Sequence, residues 1–344
     1  MKFAPLGGSG ISASRIAFGA WAIGGWNWGG QDESEAIRAI HAAADAGITL
    51  IDTAPVYGFG RSEETVGKAI AGRRDKFVIA TKVGMRWDTT KGRFYFHSDD
   101  SETRADGDIA VHIYSSPESV RLEVERSLKR LGIDCIDLIQ THWQDETTPI
   151  ADTMGELVRL REEGKVRAIG ACNATIAQID EYRSAGRFDT DQEKFSMVDR
   201  GQQDEKLPYL LKEGIAFLAY SPLANGMLTG KMGPDRVFPP GDMRNTRPRF
   251  TVESRQAVTD FLQLILPIAE GRGITLTQLV LAWTLAQPGI SHLLAGARSE
   301  QQSIENAAAA DVELSVDEVA QITNSIGDLG DKVGSAAPPS VKKS

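Results

Sequence analysis

Short apolar runs alternate with amphipathic stretches along almost the whole chain. The runs near 15–20, 50–53, 77–83, 136–142, 166–172, 190–195, 215–221 and 292–296 are rich in apolar and β-branched residues and are followed by polar loops. That is the pattern of buried strands. Between them, apolar positions recur at helical spacing near 33–46, 62–71, 117–131, 152–163, 175–184, 204–213, 275–286 and 299–308, with extra helices near 253–271 and 315–326. Asp32 stands where it would cap the first helix. Eight alternating β/α units predict an α/β fold with a parallel sheet covered by helices, and eight is the number that closes a (β/α)8 TIM barrel.

Three stretches depart from this rhythm. From Lys2 to Ser14, two short apolar runs flank Gly7-Gly8-Ser9-Gly10, which predicts an N-terminal hairpin or irregular cap. No strand-to-helix step surrounds those glycines, so they are not a dinucleotide phosphate loop. Residues 84–116, with a charged run from Asp99 to Asp108, and residues 224–252 are connections far longer than the usual length of about 2 to 6. Both follow strands, so both are expected on the C-terminal face of the barrel as lids or partly disordered loops. Residues 1–330 are expected to form one domain, and 331–344, with its prolines, serines and closing lysines, a flexible tail.

Composition narrows the class without changing the fold. The 344 residues are 41% hydrophobic and 25% charged, ordinary for a globular protein. No run approaches the ~20 apolar residues of a membrane span, and Met1-Lys2-Phe3-Ala4-Pro5 leads into no signal-peptide core, so a cytoplasmic protein is expected. A net charge of -9 argues against a general nucleic-acid or acidic-membrane surface, and any anionic ligand must meet a local basic site. Cys135 and Cys172 sit in strand-like runs, which favours buried thiols over a disulfide or metal pair, and no metal framework is present. Oligomerisation is left open.

The chemistry gathers at predicted strand ends. In Leu50-Ile51-Asp52-Thr53-Ala54-Pro55-Val56-Tyr57-Gly58 an apolar strand becomes a polar turn, which puts Asp52 and Tyr57 together. Lys82 ends the next strand and His142, in Gln140-Thr141-His142-Trp143, the one after. Each residue taken alone has an ordinary explanation: a turn aspartate, a loop tyrosine, a snorkelling lysine, a hydrogen-bonded core histidine. In a barrel, all four converge on one face. They suit carbonyl reduction, because a lysine cation ~4 Å from a phenol at an effective dielectric of ~20 favours the phenolate by ~4 kcal/mol and brings Tyr57 toward operating pH. Asp52 would orient Lys82, and a neutral His142 would position the carbonyl oxygen.

With these residues in hand, the chain resembles the aldo-keto reductase superfamily over nearly its whole length. Asp52-Thr53-Ala54 with Tyr57-Gly58, Lys82 and His142 match its catalytic tetrad, and residues 226–231 and 238–245 are most similar to its bacterial branch, including inositol-operon-type members. The resemblance implies a TIM barrel that binds NADP(H) without a Rossmann domain. It places Asn173 and Gln192 at the nicotinamide carboxamide, Tyr220 stacked on the ring, and Trp21 and Asp52 beside it. Ser221, Leu223 and Asn225 would line the pyrophosphate, and Gly296, Arg298, Gln302, Glu305 and Asn306 the adenosine end. Arg298, at a predicted helix N-terminus, could clamp a 2'-phosphate, which favours NADP(H) over NAD(H). Trp21, Trp26, Trp87 and Trp143, with Tyr57, His142 and the two long connections, would wall the pocket for a small carbonyl or alcohol substrate. The chain departs from the family at Cys172, where serine is common, at Gln144, which replaces a proline, and in the longer acidic insert.

Three functions compete on this reading. The first is NADPH-dependent reduction of an aldehyde, ketone or sugar-like carbonyl, with Tyr57 as general acid. The second is a cofactor-binding, redox-sensing regulatory subunit with no metabolic substrate of its own. The third is a barrel aldolase using Lys82 as a Schiff base, which a lysine paired to Asp52 serves poorly.

Overall fold

The computed structural model describes residues 1–25, 28, 30–98 and 109–334. Eight parallel strands close a barrel: β3 (Ile16–Gly19), β4 (Leu50–Asp52), β5 (Val78–Val83), β9 (Ile136–Thr141), β10 (Val166–Cys172), β11 (Thr190–Lys194), β12 (Ala216–Tyr220) and β13 (Ile290–Gly296). All eight lie where the apolar runs predict them. The hairpin of β1 (Phe3–Pro5) and β2 (Ser12–Ser14) also forms, paired antiparallel.

The helices follow the predicted order. They are α1 (Glu33–Asp45), α2 (Arg61–Ile70), α3 (Pro117–Leu131), α4 (Ile150–Glu162), α5 (Ile176–Ala185), α6 (Lys206–Glu213), α7 (Val252–Arg272), α8 (Leu276–Leu285), α9 (Glu300–Ala308), α10 (Val316–Ile326) and α11 (Leu329–Lys332). Asp32 caps α1, its carboxylate accepting from the Glu35 N–H at 2.9 Å. The helix α11 corrects the expected tail: residues 329–332 are helical and Val333 is buried, because this turn packs on α7. Residues 335–344 lie outside the described residues.

Side chains two apart on a strand share a face, so the barrel interior is layered. Leu50, Ala80, Leu138, Ala168, Ala216 and Leu218 fill the lower layer, and Leu6 and Ile11 from the hairpin region close it from below. Asp52, Lys82 and Gln140, each two residues further along its strand, and Gln192 of β11 form a polar layer at the C-terminal end. Lys82 pairs in register with Gln140, and Cys172 with Gln192.

The long connections hold more structure than expected. The described part of 84–116 holds a three-stranded antiparallel sheet of β6 (Met85–Arg86), β7 (Arg93–Ser98) and β8 (Ile109–Ile113), in the order β6-β8-β7. The expected charged run at 99–108 lies outside the described residues. Residues 224–252 wind through three short 3-10 turns, and Asp242 bridges Trp28 across the cleft in antiparallel fashion. Cys172 is buried and Cys135 half-buried, and both are free thiols. Among the described residues no single helix is long and apolar enough to cross a membrane, and no acidic, histidine and cysteine group could hold a metal ion.

Candidate active site

The polar layer opens into a cleft of about 1090 Å³ at the C-terminal end of the barrel. At its floor, Lys82 Nζ donates to Asp52 Oδ2 at 2.7 Å, to the Thr53 carbonyl at 2.9 Å and to the Tyr57 hydroxyl at 3.2 Å. Those are all three donors of the ammonium. Asp52 Oδ1 accepts from Gln192 Nε2 at 2.8 Å and from Gln140 Nε2 at 3.4 Å. The carboxylate is thus held on both oxygens, and Lys82 is held by it.

Tyr57 reaches this pair because the β4–α2 loop folds tightly. Its N–H donates to the Ala54 carbonyl at 3.1 Å. Gly58 follows with φ +66°, and a Cβ there would lie 2.4 Å from the Gly24 carbonyl oxygen, so the loop needs a glycine for both conformation and space. His142 faces Tyr57 edge-on, with ring centroids 5.7 Å apart, and its backbone N–H donates to the Val83 carbonyl at 2.9 Å.

The electrostatics assign charge states. Burial disfavours charge on Lys82, but Asp52 and Tyr57 together raise its pKa above the ordinary lysine value. Burial first, and then the Lys82 charge, press the His142 pKa well below 6.5, so its ring is neutral near pH 7. Burial pushes Tyr57 up to about 12, and the lowering by Lys82 only partly offsets it. This corrects the expectation that Lys82 brings the phenol toward operating pH. At neutral pH Tyr57 is a protonated hydroxyl that accepts a hydrogen bond from the Lys82 ammonium. A fully bonded, charged Lys82 is a poor nucleophile, which removes the aldolase reading.

From Tyr57 the cleft runs to the N-terminal end of α9, and the predicted dinucleotide residues lie along it: Trp21, Asn173, Gln192, Tyr220, Ser221, Leu223, Asn225, Gly296, Arg298, Gln302, Glu305 and Asn306. Their donor set fits a dinucleotide, with amides and a phenol near Tyr57 and cations toward α9. Asn173 Oδ1 accepts from the Tyr220 hydroxyl at 2.9 Å, and its Nδ2 donates to the His142 carbonyl at 3.2 Å. Ser221 and Asn225 adopt left-handed backbone with φ of +56°, which shapes the turn after β12. At the far end, Gln302 Oε1 accepts from the Arg298 N–H at 2.8 Å, Asn306 Nδ2 donates to the Gly296 carbonyl at 3.1 Å, and Glu305 takes Lys231 at 3.0 Å.

Several predicted residues are placed differently. The Gln192 amide is turned inward onto Asp52, so a nicotinamide contact would use what remains of its hydrogen-bonding capacity. Arg298 donates to the Trp28 and Gly30 carbonyls and to Gln31 Oε1, which anchors this loop. Among the described residues, three of its five N–H groups find acceptors. Trp87 does not line the cleft: it packs edge-to-face on Phe59 at 5.5 Å, drawn into the apolar cluster beneath the insert sheet. Trp21 and Trp143 do line it, and Trp26 lies outside the described residues.

The two long connections, expected to help wall the pocket, supply lining residues that were not singled out one by one. Lys231, Arg236, Arg244 and Arg247 from the 224–252 connection, and Tyr95, Phe96, His97 and Ser98 from β7, face the cleft. Arg244 is ion-paired to Asp242 at 2.6 Å and lies 5.0 Å over the Trp28 ring. The signal available was the run of cations in a long loop after a barrel strand. Gln140 was overlooked because a glutamine inside a strand looks like an interruption rather than a ligand to Asp52.

Comparison with known proteins agrees with this geometry. The chain is 42% identical over 322 residues to the NADH-specific methylglyoxal reductase of Escherichia coli, covering 92% of this chain and 95% of that one. Among solved structures it is similar to the glycerol dehydrogenase AKR11B4 of Gluconobacter oxydans, with a TM-score of 0.83, 36% identity and 98% of each chain covered. It is also similar to an aldo-keto reductase of Klebsiella pneumoniae in complex with NADPH, with a TM-score of 0.71, 26% identity, and 94% of this chain and 95% of that one covered. A model of the Aldo/keto reductase family matches residues 15–326, so this barrel, with its polar layer of Asp52, Lys82 and Tyr57, belongs to that family.

Proposed function

We propose that this protein reduces a small aldehyde, ketone or sugar-like carbonyl to the alcohol, reversibly, with Tyr57 as general acid. The observation that carries this is the buried chain Asp52–Lys82–Tyr57, joined at 2.7 and 3.2 Å beside a neutral His142. NADPH, bound along the cleft, would supply the hydride. His142 donates a hydrogen bond to the carbonyl oxygen and fixes it near the Tyr57 hydroxyl. Tyr57 gives its proton to the oxygen as negative charge develops there, and the Lys82 ammonium stabilises the phenolate left behind. Asp52, held by Gln140 and Gln192, keeps Lys82 charged and aimed.

NADP(H) is the favoured cofactor because cations gather toward α9: Arg298 and Arg244 are half-buried in the cleft wall, and Lys231 lies beside Glu305. The NADH specificity in the name of the Escherichia coli relative makes this the point to measure. The purified protein is titrated with NADPH and NADH and assayed with each against a panel of aldehydes, keto-sugars and cyclic ketones. Carbonyl-dependent oxidation of the cofactor, abolished or cut ~10² to 10⁴-fold by Tyr57→Phe, is the expected result. Cofactor binding with no turnover on any carbonyl would overturn it in favour of a redox-sensing subunit.

A further inference from the structure

The loop that carries His142 and Trp143 is fastened by a residue that the reaction itself does not use. Gln144 is buried, and its side chain spans two elements. Its Nε2 donates to the Cys172 carbonyl at 2.9 Å, at the end of β10. Its Oε1 accepts from the Tyr182 hydroxyl of α5 at 2.6 Å and from Thr141 Oγ1 at 3.3 Å. Thr141 and Tyr182 also contact each other at 3.1 Å, which closes a buried triangle. Tyr182 is itself stacked on Phe188 at 5.4 Å, so the hydroxyl that holds Gln144 is fixed in turn.

This triangle works with a second link. Asn173, the residue after Cys172, donates from Nδ2 to the His142 carbonyl at 3.2 Å. Gln144 to Cys172 and Asn173 to His142 are therefore two rungs between the same pair of segments, 142–144 and 172–173. On one side of the rungs, the His142 ring faces Tyr57. On the other, Asn173 and Tyr220 form the wall where the nicotinamide is proposed to lie. The far end of the loop is fastened independently, by Asp145 accepting from the Ser115 N–H at 2.8 Å and from Thr147 and Thr148. Losing Gln144 would thus loosen only the end that carries His142.

We propose that Gln144 is a positioning residue that sets the His142 ring in register with the Asn173 wall, and so the carbonyl oxygen in register with the hydride donor, through Tyr182, Thr141 and the Cys172 carbonyl. This rests on the carbonyl-reductase reading above. Gln144 supplies both a donor and an acceptor to the clasp, and Tyr182 the buried hydroxyl that answers one of them. Its leverage comes from distance sensitivity, since a displacement of ~1 Å at a reacting group costs ~10²-fold in rate.

The test compares Gln144→Leu, Tyr182→Phe and the double variant with the wild type, using NADPH and 4-nitrobenzaldehyde, with melting temperature measured on each. Gln144→Leu is expected to lower kcat ~10- to 100-fold with KM changed less than ~3-fold, and Tyr182→Phe to lower it less. Each single variant breaks the bond between Tyr182 and Gln144 and should melt lower, whereas the double variant removes both side-chain groups of that bond and should regain part of the melting temperature, the Cys172 carbonyl still lacking Gln144. Its kcat should stay low. An undiminished kcat in Gln144→Leu, or a kcat that recovers in step with melting temperature, would overturn the proposal and leave Gln144 a packing residue. A wild type that fails to reduce the aldehyde counts against the parent reading. Positioning is then judged by the His142 ring resonances, identified by their loss in His142→Phe: a shift in Gln144→Leu supports it and an unchanged signal overturns it.

Discussion

Replacing Lys82 by Met removes the charge that touches the Tyr57 hydroxyl while keeping much of the volume. At the observed 3.2 Å and an effective dielectric of ~20, the ammonium and a phenolate attract by about 5 kcal/mol, or between three and four pKa units. Tyr57 already stands at about 12 with that help, because burial outweighs it. Without Lys82, burial and the unpaired Asp52 both push the phenol higher. If half of the proton's charge has moved in the transition state, roughly half of the 5 kcal/mol is lost, which is ~10²-fold in kcat. The variant also buries Asp52 without its partner, at ~3 to 5 kcal/mol of stability, so Lys82→Met combined with Asp52→Asn is the proper folded control. Steady-state reduction at pH 7, with melting temperature and cofactor affinity measured alongside, decides the matter. A well-folded double variant that binds NADPH and keeps kcat within about threefold of wild type would refute the coupling of Lys82 to Tyr57.

Other consequences can be measured on the same preparations. Wild-type kcat for reduction should stay flat from about pH 6 to 9, because a donor with a pKa near 12 remains protonated throughout, and a fall through a midpoint near 7 would contradict Tyr57 as the donor. Arg298→Ala should weaken NADPH binding ~10- to 100-fold and NADH clearly less, as judged by fluorescence titration at fixed ionic strength. Equal losses would show that Arg298 serves only to anchor Trp28, Gly30 and Gln31. Glu123 of α3, buried with one oxygen on the Gly84 N–H at 3.0 Å, is raised by burial to about 8. A carboxyl raised above its unfolded value of ~4.3 holds its proton more tightly when folded, so its contribution to stability is intact below that value and lost as pH rises through about 8. Glu123→Gln should therefore melt with a shallower decline between pH 5 and 8. An unchanged pH slope would contradict this, with Asp191 and Glu193, also raised by burial, carrying the remainder.

The barrel was legible because each strand is a short apolar run and each helix an amphipathic one, and local periodicity reports both. The proximity of Asp52, Lys82 and His142 was legible because a barrel gathers strand ends, so it needed only correct strand boundaries; their part in the reaction is the proposal made above. What escaped depends on the third dimension. Burial of Tyr57 against the charge of Lys82 is a balance of two large effects, and its sign cannot be read from spacing. Trp87 and Trp143 look alike in sequence, yet Phe59 captures the first while the second faces the cleft. The strands of the 84–116 insert were missed because β7 is mixed in polarity, Arg93–Ser98 alternating only weakly, and because its partner β8 lies across ten intervening residues. Arg298 was foreseen at the right place with too simple a role, since three of its donors serve backbone and side-chain acceptors far away in sequence.

The apolar plug below the polar layer has a bearing on where protons come from. Leu50, Ala80, Leu138 and Leu218, closed from below by Leu6 and Ile11, make most of this layer, and His292, in register with Leu218, is held at the base by the Ser14 and Pro5 carbonyls at 3.0 and 3.4 Å. Above them, every hydrogen of the Lys82 ammonium is already engaged. In the proposed reaction, a Tyr57 that has surrendered its proton faces the cleft and is within reach of solvent entering by the mouth, the same opening through which the alcohol departs. Reprotonation from that side is then tied to product escape, and the enzyme is reset as its cleft empties.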